Sequence, residues 1–384
     1  MPQRSMTVMD DAVIPFEIKI SDAAIEDLHE RLRHTRLPEP PTDSSQGIGP
    51  ERVARFCREW LDEYNWRALE VELNRLSQWR TRIFDLNIHF LHVLSPRKDA
   101  RPIIITHGWP SSIVETLDVL HDLTEPPADQ PAFHVVVPSL PGYGFSEKPA
   151  KPGWGIEKIA DAWAELMTRL GYPRFFAQGG DWGAMITTTL ALRHPERLAM
   201  MHTTVPWAAR PKDFRDEDFT EVEARWQAEE AAFRARSGGR SLLDSRRPQV
   251  PGYALTDSPA GQLAWILDPV LSATDQDQQG ECLIPRRRLL DNLSVYWFTA
   301  TAASSARLYW ESLGKMDLIT PVTVPCAVSV FPKELMKLPR SWVEKRYTHL
   351  RRWNLLDRGG HLAIAEVPQT FVTELRASFA LAPA

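Results

Sequence analysis

Cysteine is the scarcest reactive side chain in this 384-residue sequence: Cys57, Cys282 and Cys326 are odd in number, widely spaced, and show no CxxC pair. That pattern argues against a disulfide framework and against a zinc site. Long apolar runs are missing too. No stretch reaches the roughly eighteen consecutive apolar residues of a membrane-spanning helix, and residues 1–15 carry Asp10 and Asp11 where a signal peptide needs an apolar run. The expectation is a cytoplasmic enzyme without a membrane span. Neither sign of charge is in large excess, since 45 Lys and Arg face 50 Asp and Glu for a formal net charge of -5. Nucleic acid selects a strongly basic face and is not an expected partner. The short run of Arg286, Arg287 and Arg288 reads as a helix start, and the triplet Asn292-Leu293-Ser294 fits a glycosylation acceptor only as chance triplets often do. Internal repeats and low-complexity tracts are absent.

Aromatic residues, by contrast, are plentiful, with fourteen Trp and fifteen Phe to fill a sizeable core. Ser21 followed by Ile25, Leu28 and Leu32 has the cap and spacing of an amphipathic helix, and residues 53–64 and 66–76 continue that period. Residues 81–93 then alternate as a strand does. From residue 103 onward strands (103–106, 133–138, 174–178, 200–205) alternate with helices (114–123, 156–170, 184–193), the order of a mostly parallel sheet covered on both faces. The alternation stops near Pro206, gives way to helices and loops, and resumes as strands at 322–331 and 350–355 before a closing helix at 368–379. The chain therefore divides into an N-terminal helical extension (1–95), the first part of an α/β core (96–206), a helical lid inserted into it (207–313) and the second part of the core (314–384).

The chemistry gathers at loops that follow strands. Phe175 to Ala184 reads FFAQGGDWGA, a strand, a tight turn and a helix start, with Gly179, Asp181 and Gly183 in the pattern G-x-nucleophile-x-G. Small residues suit a strained turn whose helix must pass close to its own strand. A serine here would suggest acyl transfer, whereas a carboxylate attacks sp3 carbon and leaves an alkyl ester that water must hydrolyse. By itself Asp181 reads equally well as the cap of a helix at Trp182. Its surroundings favour the chemical role. His107-Gly108-Trp109-Pro110-Ser111-Ser112 follows the strand at 103–106, so the Trp109 and Trp182 amides are candidates for an oxyanion hole. Arg358-Gly359-Gly360-His361 places a histidine on a glycine-flexed loop near the C-terminus, where the order nucleophile, acid, base needs it. The first carboxylate after the strand at 324–331 is Glu334, suited to orienting His361; Asp317 and Asp357 are weaker candidates.

The motifs HGWPSS, PSLPGYGFSEKP (138–149), GGDWGA and GGHLAIAEVP together resemble the epoxide hydrolases of the α/β-hydrolase fold, most of all their microsomal-type branch, from about Pro15 to the C-terminus. The resemblance implies a helical N-terminal meander wrapping the core, an epoxide substrate opened to a vicinal diol, water as co-substrate, and no cofactor or metal. It also implies two lid tyrosines that hold and protonate the epoxide oxygen. Tyr253, in Pro251-Gly252-Tyr253-Ala254, and Tyr309, in Ser304-Ser305-Ala306-Arg307-Leu308-Tyr309, match those positions. Tyr296 is a rival that reads as lid packing, and Tyr143 reads as structural. A phenol suits the task because the departing alkoxide is too basic to leave without a proton. The N-terminal membrane anchor of the mammalian members is not expected in this chain, and a homodimer is left open.

Two other readings keep part of this machinery. A haloalkane or haloacid dehalogenase shares the aspartate nucleophile but has no use for paired phenols. A non-catalytic relative binding an apolar ligand would have no need of the full set of nucleophile, base, acid and oxygen donors. The aromatic lid points weakly to a bulky apolar or aryl epoxide.

Overall fold

A computed structural model describes residues 12–383 of the chain; the first eleven residues of the expected extension lie outside the described residues. Strand β1 (Val13–Pro15) leads into α1 (Asp22–Arg33), α2 (Pro50–Asp62) and α3 (Trp66–Asn74). The Ser21 hydroxyl accepts the Ala24 amide and starts α1, whose Leu28 and Leu32, one turn apart, turn inward. Val53, Phe56, Cys57 and Trp60 form the buried stripe of α2 at helical spacing. The alternating stretch forms two strands, β2 (Gln78–Ile83) and β3 (Leu86–Val93), paired antiparallel across a two-residue turn. Phe84 takes the turn with φ of 55°. Positive φ matches the twist of a tight hairpin but is usually left to Gly or Asn, so in the pair Phe84-Asp85 only Asp85 is an ordinary turn residue.

The core continues as β4 (Arg101–Thr106), α4 (Leu117–Thr124), β5 (Phe133–Pro138), α5 (Ile156–Arg169), β6 (Phe175–Gly179), α6 (Asp181–Arg193) and β7 (Leu198–Thr203). An insertion of five helices follows: α7 (Glu221–Arg246), α8 (Gln249–Asp257), α9 (Pro259–Ala273), α10 (Arg286–Phe298) and α11 (Ala302–Ser312). The chain then returns to the sheet as β8 (Cys326–Val330), α12 (Arg340–Arg346), β9 (Leu350–Leu355), α13 (Ala363–Glu366) and α14 (Pro368–Phe379).

All nine strands form one sheet in the order β1-β2-β3-β5-β4-β6-β7-β8-β9. Pairing is parallel from β5 to β9, and β1 to β3 add an antiparallel wing on the β5 edge. This is the α/β-hydrolase fold. Ile104, Val136 and Phe175 belong to one apolar cluster and their strand neighbours Ile103, Val135 and Phe176 to the other. That alternation is what a sheet buried on both faces requires, and it is why these strands read as continuous apolar runs. The loops leaving the carboxyl ends of β4, β6, β8 and β9 meet at one edge of the sheet, where open α/β sheets place their ligands. Among the described residues no helix is long and apolar enough to cross a membrane.

Candidate active site

At the tip of the turn between β6 and α6, Asp181 holds φ at 48°. A left-handed backbone at a non-glycine residue costs on the order of 1–3 kcal/mol and persists only where its surroundings impose it. Here they do. At Gly183 a Cβ would overlap the Thr106 carbonyl, so α6 can cross β4 only with glycine at that point. Gly108 faces Asp181 so closely that a Cβ there would occupy the carboxylate's place. The turn thus lifts the side chain clear of the sheet and leaves room for it against the loop after β4.

Both carboxylate oxygens are engaged. Oδ1 accepts the Trp109 amide at 2.7 Å, Trp109 being followed by a cis peptide to Pro110, and Oδ2 lies 3.1 Å from His361 Nε2. His361 Nδ1 in turn lies 2.9 and 3.0 Å from the two Glu334 oxygens. Glu334, buried behind the imidazole, also accepts the Leu335 and Met336 amides through Oε1 at 2.7 and 3.2 Å. The two loops are joined as well: Lys333 donates its amide to the Gly359 carbonyl, and the His361 amide donates to the Ala273 carbonyl at the end of α9, both within 3.1 Å. Asp317 caps the Ile319 and Thr320 amides, and Asp357 is exposed. Neither is near the imidazole's partners.

Charge follows from these contacts. Burial would push the Asp181 carboxyl upward, but the hydrogen bond and charge of His361, with the Trp109 and Trp182 amides, hold it below the usual carboxylate range. Burial would likewise lower the imidazole, yet the Glu334 charge and the Asp181 hydrogen bond carry it well above its ordinary value. The two shifts run in the directions that favour a charged His361–Asp181 pair.

The inserted helices close over this floor. Tyr309 of α11 is buried and stands edge-on to Trp182, with ring centroids 4.8 Å apart, and to Trp109 at 6.0 Å. Tyr296 donates its hydroxyl to the Ser111 carbonyl at 3.0 Å and packs against Tyr143, itself fully buried. Tyr253 is a correction. It is 73% exposed and takes no part in the cavity, because α8 packs against α11 through Gly252, where a Cβ would press on Ala303, and through Leu255. The next residue along a helix points about 100° away, and at position 253 that direction is solvent. A cavity of about 460 Å³ lies between floor and insertion, with Asp181, His361, Tyr309 and Arg240 as polar groups against apolar residues such as Met185 and Val270.

Comparison with known proteins decides the family. The model described as "Epoxide hydrolase N terminus" matches residues 13–116, and that of the alpha/beta hydrolase fold matches residues 101–247. A relative from Stigmatella aurantiaca (strain DW4/3-1), provisionally named an epoxide hydrolase, is 45% identical over 96% of this chain and 84% of its own. Epoxide hydrolase 1 of Sus scrofa is 31% identical over 97% of this chain and 90% of its own. The chain belongs to the epoxide hydrolases. Among solved structures, the juvenile hormone epoxide hydrolase of the silkworm Bombyx mori superposes with a TM-score of 0.90 at 28% identity, covering 98% of this chain and 96% of that one. The protein is thus an enzyme that hydrolyses epoxides, with a small molecule and water as its substrates.

In this epoxide hydrolase one group at the site escapes sequence reasoning altogether. Arg240 of α7 reaches the cavity with Nη2 3.3 Å from the Tyr309 hydroxyl and Nη1 2.8 Å from Asp244. Arg240 and Asp244 are four residues apart, a spacing that in sequence reads as a solvated helix pair. The Gly238-Gly239 that precedes them gives no chemical signal. A second feature lies beside Asp181: a cavity of about 10 Å³, the size of one water, lined by Asp181, His361, Glu115 and Gln178. Both polar atoms of the buried Gln178 side chain have no hydrogen-bond partner in the protein.

Proposed function

We propose that this enzyme opens its epoxide by covalent catalysis on Asp181. The observation that carries the reading is the continuous line Glu334, His361, Asp181, with the carboxylate facing the apolar cavity and the Tyr309 phenol above it. Asp181 attacks a ring carbon, the C–O bond breaks, and the alkoxide takes the Tyr309 proton, leaving a phenolate. Esterification cancels one of the two negative charges flanking His361. The imidazolium becomes a stronger acid, and its proton restores the Tyr309 phenol through solvent. Neutral His361, oriented by Glu334, then removes a proton from water, which adds to the ester carbonyl. The Trp109 and Trp182 amides receive the oxyanion. Collapse gives the second hydroxyl and carries the carboxyl proton to it, so the net change is epoxide plus water to vicinal diol.

The helices within 207–313 act as a lid over a core made by 96–206 and 314–384, with the segment up to residue 95 wrapped around it. The apolar cavity wall favours a bulky apolar epoxide over a polar one. Turnover in heavy-oxygen water tests the covalent step: after repeated cycles the label enters the Asp181 carboxylate, and label confined to product would overturn it.

A further inference from the structure

Two arginines reach the cavity wall, and they differ in kind. Arg234 has a 63% exposed side chain bound to Glu230, so it sits at the rim. Arg240 is 20% exposed at its side chain and faces the reacting end of the cavity. Its guanidinium carbon lies over the Trp109 ring, 3.7 Å from the centroid, and Trp109 is the residue whose amide binds Asp181. One edge of the fork is held by fully buried Asp244, and the other points at Tyr309. Two hydrogen-bonding partners and the ring of Trp109 thus hold the guanidinium on the cavity side.

Epoxide opening needs such a group. The neutral epoxide oxygen carries little charge, the alkoxide a full one, so a fixed cation beside it favours the transition state over the bound substrate. Tyr309 faces the same demand, since giving up its proton leaves a buried phenolate, and unpaired buried charge is costly. Burial pushes the Tyr309 phenol up to about 12 even with Arg240 opposing the shift. A guanidinium remains protonated throughout and offers several donors in one plane.

We propose that Arg240 is the second oxygen-holding group of this active site: together with Tyr309 it receives the departing epoxide oxygen, and it stabilises the phenolate left after proton transfer. No atom is added to the reaction; Tyr309 supplies the proton and Arg240 keeps all of its own. Asp244 acts as a positioning residue that aims the fork. The inference rests on Asp181 being the nucleophile.

Single-turnover mixing of excess enzyme with styrene oxide, quenched for intact mass and diol, separates ring opening from ester hydrolysis. Arg240→Met should slow alkyl-enzyme formation about 10²-fold, the usual effect of losing one oxyanion donor, and leave ester hydrolysis within about threefold. Arg240→Tyr, which restores a donor without a charge, should recover much of the alkylation rate. Since Arg240→Met strands buried Asp244, the double variant Arg240→Met/Asp244→Leu removes both charges and should show the same slow alkylation in a protein that melts like the parent. Unimpaired alkylation in that double variant overturns the inference. So does a defect limited to KM for an epoxide bearing a carboxylate, which would make Arg240 a substrate-anion receptor. Diol formation by the parent without any alkyl-enzyme overturns the Asp181 reading as well, whereas normal parent alkylation with unimpaired Arg240 variants overturns this proposal alone.

Discussion

The floor of the active site and its roof are built by different rules. On the floor, Asp181, Trp109, Glu334 and His361 all sit on loops at strand ends, where glycines and tight turns leave the backbone few alternatives. On the roof, Tyr309, Arg240 and Tyr253 sit on helices, where a residue's neighbour points about 100° away. A side chain on a strand-end turn is committed by its local backbone. One on a helix is committed only by how that helix packs, and at Gly252 against Ala303 the packing sends Tyr253 outward.

The sharpest way to break this contrast is at Asp181, the proposed nucleophile. Asp181→Ala should lower diol formation by at least about 10⁴-fold, as loss of a covalent nucleophile does, while circular dichroism and melting show a folded protein. Next comes the base: His361→Gln should still alkylate but slow ester release about 10³-fold, so that intact mass rises by that of the substrate and stays there. On the roof the expected effect is smaller. Tyr309→Phe should slow alkylation about 10²-fold and spare ester hydrolysis. The two steps should also part in their dependence on pH. Asp181 is held below the usual carboxylate range, so alkylation should stay flat as pH rises through neutrality and fail only at a pH more acidic than that at which an ordinary aspartate protonates. Ester hydrolysis needs neutral His361, so its rate should climb with pH until the imidazole of the alkyl-enzyme has lost its proton; single-turnover rates measured across pH check both. The smallest effect belongs to Tyr253→Phe, which should leave rates within about twofold and stability within about 0.5 kcal/mol, as thermal melts and diol assays would register. A large loss there would bring Tyr253 back to the cavity and undo the distinction between floor and roof.

The same contrast explains how much could be read in advance. The strand and helix order of residues 103–205 was legible because parallel strands buried on both faces leave unbroken apolar runs, and helix Pro368–Phe379 shows its period and its leading proline. The place of the hairpin turn was not, because Phe84 holds a positive φ that Gly or Asn usually signals. Asp181, His361 and Glu334 were singled out by the order of strand, turn and carboxylate, and the structure brings them within hydrogen-bonding reach. Arg240 was passed over because a charged pair four residues apart looks the same whether it faces water or a cavity. Only the packing of α7 against α11, which puts Arg240 beside Tyr309, tells the two apart.

The bond from the His361 amide to the Ala273 carbonyl has a consequence for any attempt to shrink this enzyme. Ala273 ends α9, a roof helix, so the base takes part of its footing from the very segment that covers it. Gly359, two residues earlier, is tied to the same side through its amide on Asp275. Cutting out the insertion to leave a bare sheet would therefore unmoor the imidazole along with the ceiling.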